Sequence, residues 1–199
     1  MCAYNKKDGF YRRAKREGYR SRAVYKLKQI DDKFSIFKPD FTVLDLGAAP
    51  GGWSQYAVEV VGDGNVMAVD IVGMRDIEGV EQYRADVTKE REVRRIILIA
   101  GEVDVIISDM APNISGNYSL DQARSVYLAR SALQVCHWAL KENGSFVVKV
   151  FQGEDFEDLL KDVKKHFKFV KCHSPKASRN TSSEMYIIGK GYLDSKQKD

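Results

Sequence analysis

Lys149 interrupts a run otherwise apolar enough to be buried on both faces of a sheet, Phe146-Val147-Val148-Lys149-Val150-Phe151. A lysine is rarely buried without a partner, and desolvation lowers its pKa toward the range in which it can act as a base. Three acids, Asp70, Asp86 and Asp109, fall directly after other apolar runs. In an open, doubly wound sheet such strand ends open onto one crevice, where Asp109 and Lys149 could meet. Lys26 and Glu184 are further charged residues flanked by apolar ones. Each has a plainer reading when taken alone. A lysine near a strand end can snorkel to solvent, and acids at strand ends often form turns or cap helices.

The company these residues keep favours a ligand. Val43-Leu44-Asp45-Leu46-Gly47-Ala48-Ala49-Pro50-Gly51-Gly52-Trp53-Ser54-Gln55 reads as a buried strand, a glycine-rich turn and a helix start. That layout sets free backbone N–H groups and the positive end of a helix dipole at the C-terminal edge of a parallel sheet, which suits a small ligand with a negative group. A dinucleotide is disfavoured, because alanine stands where the G-x-G-x-x-G fingerprint needs its second glycine, and Pro50 stiffens the exit. Gly47, Gly51 and Gly52 permit close backbone approach without demanding a pyrophosphate. The turn resembles the first motif of S-adenosylmethionine-dependent methyltransferases, whose ligand offers a carboxylate, a ribose and an adenine. Asp70, 19 residues after Gly51, stands about where an acid accepts hydrogen bonds from a cofactor ribose. Asp86 would then meet the exocyclic amine of the adenine.

The elements that must position these groups can be read from periodicity and punctuation. Strands are predicted over 42–46, 65–69, 82–84, 103–108, 145–151, 168–173 and 184–189. Helices are predicted from Ser21, as N-cap, to about Phe34, over 53–60, from a Thr88 cap to about Ile99, from after Tyr118 to about Leu140, and over 156–167. Strands alternating with helices predict an open, mostly parallel, seven-stranded α/β sheet of Rossmann-like type, and the close spacing of the last two strands predicts an antiparallel C-terminal hairpin. At 199 residues, with 44% hydrophobic and 30% charged, the chain fits one domain with a real core. The expected divisions are a basic arm over 1–20, a catalytic domain over 21–192 and a polar tail over 193–199. Three scattered cysteines make neither a disulfide framework nor a metal site and favour a reducing, cytoplasmic setting. Neither a secretory h-region nor a membrane-length apolar run is present in the sequence.

Charge is unevenly spread. The whole chain is +4, but residues 1–28 hold ten Lys/Arg against two acids, a net +8, so the remainder is −4. Tyr4, Phe10, Tyr11, Tyr19 and Tyr25 are interleaved with Arg12, Arg13, Arg16, Arg20 and Arg22. A basic, aromatic-laced arm on a mildly acidic body is the footprint expected for a phosphate backbone with bases available for stacking. A solubilising terminus is the alternative. Lys176 and Arg179 lie in a second basic loop.

Taken together, these segments resemble the FtsJ-type ribosomal RNA 2′-O-ribose methyltransferases, from about Tyr19 to Tyr192. The resemblance rests on Ser21-Arg22-Ala23 with Tyr25-Lys26-Leu27, the glycine turn, Ser108-Asp109-Met110-Ala111-Pro112-Asn113 with Ser115-Gly116, Gly144 to Gly153, Ser178-Arg179 and Ser183-Glu184-Met185-Tyr186. It implies a catalytic tetrad at Lys26, Asp109, Lys149 and Glu184, and a cofactor site lined by Gly51, Trp53, Asp70, Asp86 and Asp109. It implies S-adenosylmethionine as cofactor and a uridine ribose of large-subunit ribosomal RNA as target, within the large ribosomal subunit. Similar proteins modify transfer RNA anticodon loops, and some members carry a C-terminal RNA-binding appendage. Here the arm is expected to bear more of the RNA contact, without metal or membrane.

In that mechanism Lys149 orients and deprotonates the 2′-hydroxyl, Asp109 steers it, and Lys26 and Glu184 position the ribose. Tyr186, two residues beyond Glu184 and on the same side of the strand, could stack on a base or simply pack. His137, His166 and His173 show no ligand spacing, and Trp138 is expected in the core. The rival readings are a non-catalytic RNA-binding assembly factor and a small-molecule O-methyltransferase.

Overall fold

The computed structural model describes residues 9–179 and 182–193. The elements in chain order are α1 (Gly9–Arg16), α2 (Val24–Phe34), β1 (Thr42–Leu46), α3 (Gly52–Val61), β2 (Asn65–Asp70), β3 (Val80–Arg84), α4 (Glu90–Ala100), β4 (Val103–Ser108), α5 (Tyr118–Ala139), β5 (Leu140–Phe151), α6 (Phe156–His166), β6 (Phe167–His173) and β7 (Glu184–Tyr192). One seven-stranded sheet forms in the order β3-β2-β1-β4-β5-β7-β6. The first five strands pair in parallel, and β7 is antiparallel to both β5 and β6. The chain turns back on itself beside β1, so the carboxyl ends of β1 and β4 frame the switch-point crevice where ligands bind in such sheets.

Strand alternation divides the core into two layers. Leu44, Leu46, Ile106, Phe146 and Val148 pack with α4, α5 and α6. Val43, Val105, Ile107, Val147 and Ile188 pack with α2 and α3. Lys149, two residues after Val147, therefore belongs to the α2/α3 side, where its register partner is Tyr186. Ala14 of α1 is buried in the same layer, so this part of the basic arm is a helix docked on the domain rather than a free extension. Residues 1–8 of the expected arm, and all of the expected tail except Leu193, lie outside the described residues.

Three local expectations differ. Helix α2 starts at Val24, and Ser21 is not its cap. Ser21 instead packs on the glycine turn, where its Oγ would lie 2.5 Å from a Cβ built on Gly52. Thr88 does not cap α4; its hydroxyl and N–H donate to Asp86 Oδ1, at 2.7 and 3.0 Å, and the helix begins two residues later. Strand β5 begins at Leu140, and the expected Asn143-Gly144 turn is an irregularity inside it, with Asn143 at φ 63°. Trp138, expected in the core, packs against the α4/α5/α6 layer as a partly buried side chain, with the Arg94 guanidinium 4.6 Å from its ring centroid.

Candidate active site

The glycine turn is shaped by backbone that only glycine accepts easily. Gly47 and Gly51 sit at φ 73° and 106°, and a Cβ on Gly47 would lie 2.3 Å from Met110 Cγ. Asp70, at the end of β2, fastens this turn to the neighbouring loop. Its Oδ2 accepts from Ala49 N–H at 2.9 Å and its Oδ1 from Val72 N–H at 2.8 Å. Beside it opens a cleft of about 380 Å³, bounded by Gly47, Asp70, Asp86, Asp109 and Met110, with an apolar wall from Ile71, Val72, Val87 and Leu128. Hydrogen bonds from Thr88 chiefly hold the Asp86 carboxyl below its ordinary pKa. Gly51 does not line this cleft. It lies under Ile77 and Arg20, with Trp53 at a smaller cavity on the other side of the turn.

Past the cleft, β4, β5, β7 and α2 converge on four charged side chains. Lys149 Nζ lies 2.9 Å from Asp109 Oδ1 and donates to the Asp109 carbonyl oxygen at 2.5 Å. Lys26 Nζ lies 2.6 Å from Glu184 Oε1. The Tyr186 hydroxyl donates to Asp109 Oδ1 at 2.7 Å, and Lys26 Nζ sits 5.8 Å from the Tyr186 ring centroid. Burial pushes the Asp109 carboxyl up, but the charges of Lys149 and Lys26 outweigh it and hold the group below its ordinary pKa. Lys149 is 7% exposed, so this ion pair sits where water screens little. The four residues named by the resemblance thus form two linked ion pairs at one sheet edge.

A family model described as FtsJ-like methyltransferase matches residues 19–192. The ribosomal RNA large subunit methyltransferase E of Halobacterium salinarum is 50% identical over 194 residues, covering 95% of this chain and 75% of the relative. The chain belongs to the FtsJ-like methyltransferase family. The protein of the same name from Methanosarcina mazei is 50% identical over 193 residues, covering 96% of this chain and 72% of its own. A solved structure from Plasmodium falciparum, named for a ribosomal RNA methyltransferase, superposes with a TM-score of 0.80 at 27% identity, covering 88% of this chain and all of the other. A fibrillarin from Methanococcus jannaschii, 18% identical, shares the fold with a TM-score of 0.57 over 78% of this chain and 68% of the other.

The RNA-facing residues expected in this FtsJ-like chain divide into three groups. Arg22 and Arg179 line a recess of about 400 Å³ together with Lys26 and Glu184. Arg12, Arg16 and Lys176 are exposed, and Arg13 pairs with Glu17 at 2.7 Å on the surface of α1. Arg20 is turned inward. Its guanidinium donates to the carbonyl oxygens of Arg75 and Asp76, both at 2.5 Å, and so straps the loop after β2 onto the glycine turn. Tyr186 corrects the base-stacking expectation outright. It is fully buried, with its ring 5.8 Å from that of Trp53, so it packs and positions Asp109.

Asp45 joins the site without having stood out among the charged residues of the sequence. It is fully buried on β1; its Oδ2 accepts from the Ser54 hydroxyl at 2.6 Å, and its Oδ1 has no hydrogen-bond partner among the described residues. Burial pushes its carboxyl up to about 7. It lines the smaller cavity, of about 120 Å³, with Ala23, Gly47, Trp53 and Asp109. The signal was present: an acid inside an apolar strand is as anomalous as Lys149. Among the described residues no group of three or more His, Cys, Asp or Glu could hold a metal, and no helix is long and apolar enough to cross a membrane.

Proposed function

We propose that this chain transfers a methyl group from S-adenosylmethionine to the 2′-oxygen of a ribose, a uridine, in large-subunit ribosomal RNA. The names of its relatives support the RNA class, and the cleft supports the cofactor. Gly47 and Met110, packed against each other at the glycine turn, form part of its wall. Asp70 and Asp86 offer acceptors with lone pairs to spare, the apolar wall suits an adenine, and the orphaned Asp45 Oδ1 suits a cationic group. When bound, the cofactor supplies an electrophilic sulfonium methyl. The protein's part is alignment and removal of one proton.

The observation that bears most weight is the buried Lys149–Asp109 pair beside that cleft. Lys149 Nζ is the group placed to take the hydroxyl proton as the oxygen takes the methyl. Asp109 stabilises the ammonium that results, held in place by the Tyr186 hydroxyl. The Lys26–Glu184 pair, which shares a recess with Arg22 and Arg179, seats the ribose and its phosphate. The test is Lys149→Ala, read for cofactor binding, RNA binding and methyl transfer separately. Retained binding with transfer lost is expected. Near-wild-type turnover would remove Lys149 from the chemistry.

A further inference from the structure

Large apolar side chains are exposed together at the active-site edge of the sheet, where the loop after β4 meets the first half of α5. Ile114 is 67% exposed, Tyr118 62%, Leu120 41% and Tyr127 57%. None belongs to either core layer. Within this surface, Arg124, Tyr127 and Leu128 lie on one face of α5, at helical spacing, and form a shallow depression of about 310 Å³ against Pro112 and Asn113. Leu128 also lines the cofactor cleft, as do Met110 and Ala111 just before Pro112. The depression is therefore the outer neighbour of the cleft, with a loop between them.

Two features make it a built surface. Asp121 is buried under the loop, where its Oδ1 accepts from the Ser115 N–H at 2.9 Å and hydroxyl at 2.8 Å and its Oδ2 from the Gly116 N–H at 3.3 Å. These bonds fix the loop to α5, so the depression does not have to be ordered by its ligand. Its lining contains a cation, a phenol ring, a side-chain amide and a proline, and no carboxylate. That chemistry suits an anionic chain bearing flat rings better than it suits a protein helix, which would call for a deeper apolar groove.

We propose that the Tyr127–Arg124 depression is a nucleobase subsite for a nucleotide flanking the target in the substrate RNA. The Tyr127 ring provides the stacking face, Asn113 faces the base edge, and Arg124 meets the adjoining phosphate. This rests on the methyltransferase reading of the neighbouring cleft. It extends the RNA track to the opposite side of the site from the Arg22–Arg179 recess.

The experiment uses the full chain, S-adenosylmethionine, and deproteinised large-subunit ribosomal RNA from cells lacking the modification. Tyr127→Ala is expected to raise the RNA Kd and KM about tenfold, within the range for loss of one base–aromatic stack. Tyr127→Phe should stay within about twofold, and the cofactor Kd should be unchanged in both. Tyr127 is on the surface, so neither change threatens the fold. An unchanged RNA Kd for Tyr127→Ala overturns the subsite, and so does a parallel loss of cofactor affinity, which would assign the ring to the cleft. Absence of methyl transfer by the wild-type protein would instead refute the reading of the cleft, and the RNA Kd of Tyr127→Ala would still decide the subsite.

Discussion

Asp45→Asn should stabilise this protein at neutral and alkaline pH while weakening its cofactor site. The wild-type carboxyl, about 3.8 when exposed, is pushed up to about 7 mainly by burial. Between those values the unfolded chain binds fewer protons at this position than the folded one, so its contribution to stability falls as pH rises from about 4 to about 7 and is level above. Three units at about 1.36 kcal/mol each give a penalty on the order of 4 kcal/mol above about pH 7, an upper bound. Asparagine keeps an acceptor for the Ser54 hydroxyl and has no charge to bury. For a domain of this size the gain is about 8 to 16 °C in Tm near pH 8, shrinking toward zero near pH 4. Thermal unfolding of both proteins across that range reads the difference, in which the titrations common to both cancel. A Tm difference that does not change with pH would mean that Asp45 is not buried at the cost of its charge. The same variant should bind S-adenosylmethionine more weakly, because the negative charge beside the smaller cavity is gone.

Other expectations follow from single contacts. Tyr186→Phe removes the hydroxyl that holds Asp109, a bond to a charged group worth about 1.5–3 kcal/mol. Its denaturation midpoint in urea and its methyl-transfer rate should both fall, and an unchanged rate would mean that Lys149 alone fixes Asp109. Gly47→Ala must displace Met110, which lines the cleft, and adopt a strained φ, so its cofactor Kd should rise roughly tenfold by calorimetry. Burial lowers the pKa of His137 and His166, whose rings lie 4.4 Å apart. The unfolded chain then binds more protons at these two positions than the folded one below about pH 6.5, so their contribution to stability should drop as the pH falls from there. His166→Gln should make that drop shallower, and an identical slope would assign the acid sensitivity elsewhere.

Much of this was legible from local pattern. The strand Val43–Leu46, the glycine turn after it and the lysine inside β5 all announce themselves by departing from a period that the rest of the chain keeps. What escaped depends on contacts between distant segments. Tyr186 shares a strand face with Glu184, but only the packing of α2 and Trp53 over that face decides that its ring is sealed from RNA. Arg20 looks like a phosphate ligand in a run of basic residues. Its acceptors are carbonyls 55 and 56 positions away, which no spacing rule reveals. Ser21 has the right chemistry for a cap and is used for close packing against Gly52 instead.

The position of the transferred methyl decides whether the acceptor is a ribose oxygen. Unmodified large-subunit ribosomal RNA, incubated with the protein and isotopically labelled S-adenosylmethionine, can be digested to nucleosides and resolved by mass spectrometry. The label is expected in 2′-O-methyluridine, and none when the target nucleotide is replaced by its deoxyribose form. Label on a base, or transfer that persists with the deoxyribose, would contradict a ribose acceptor.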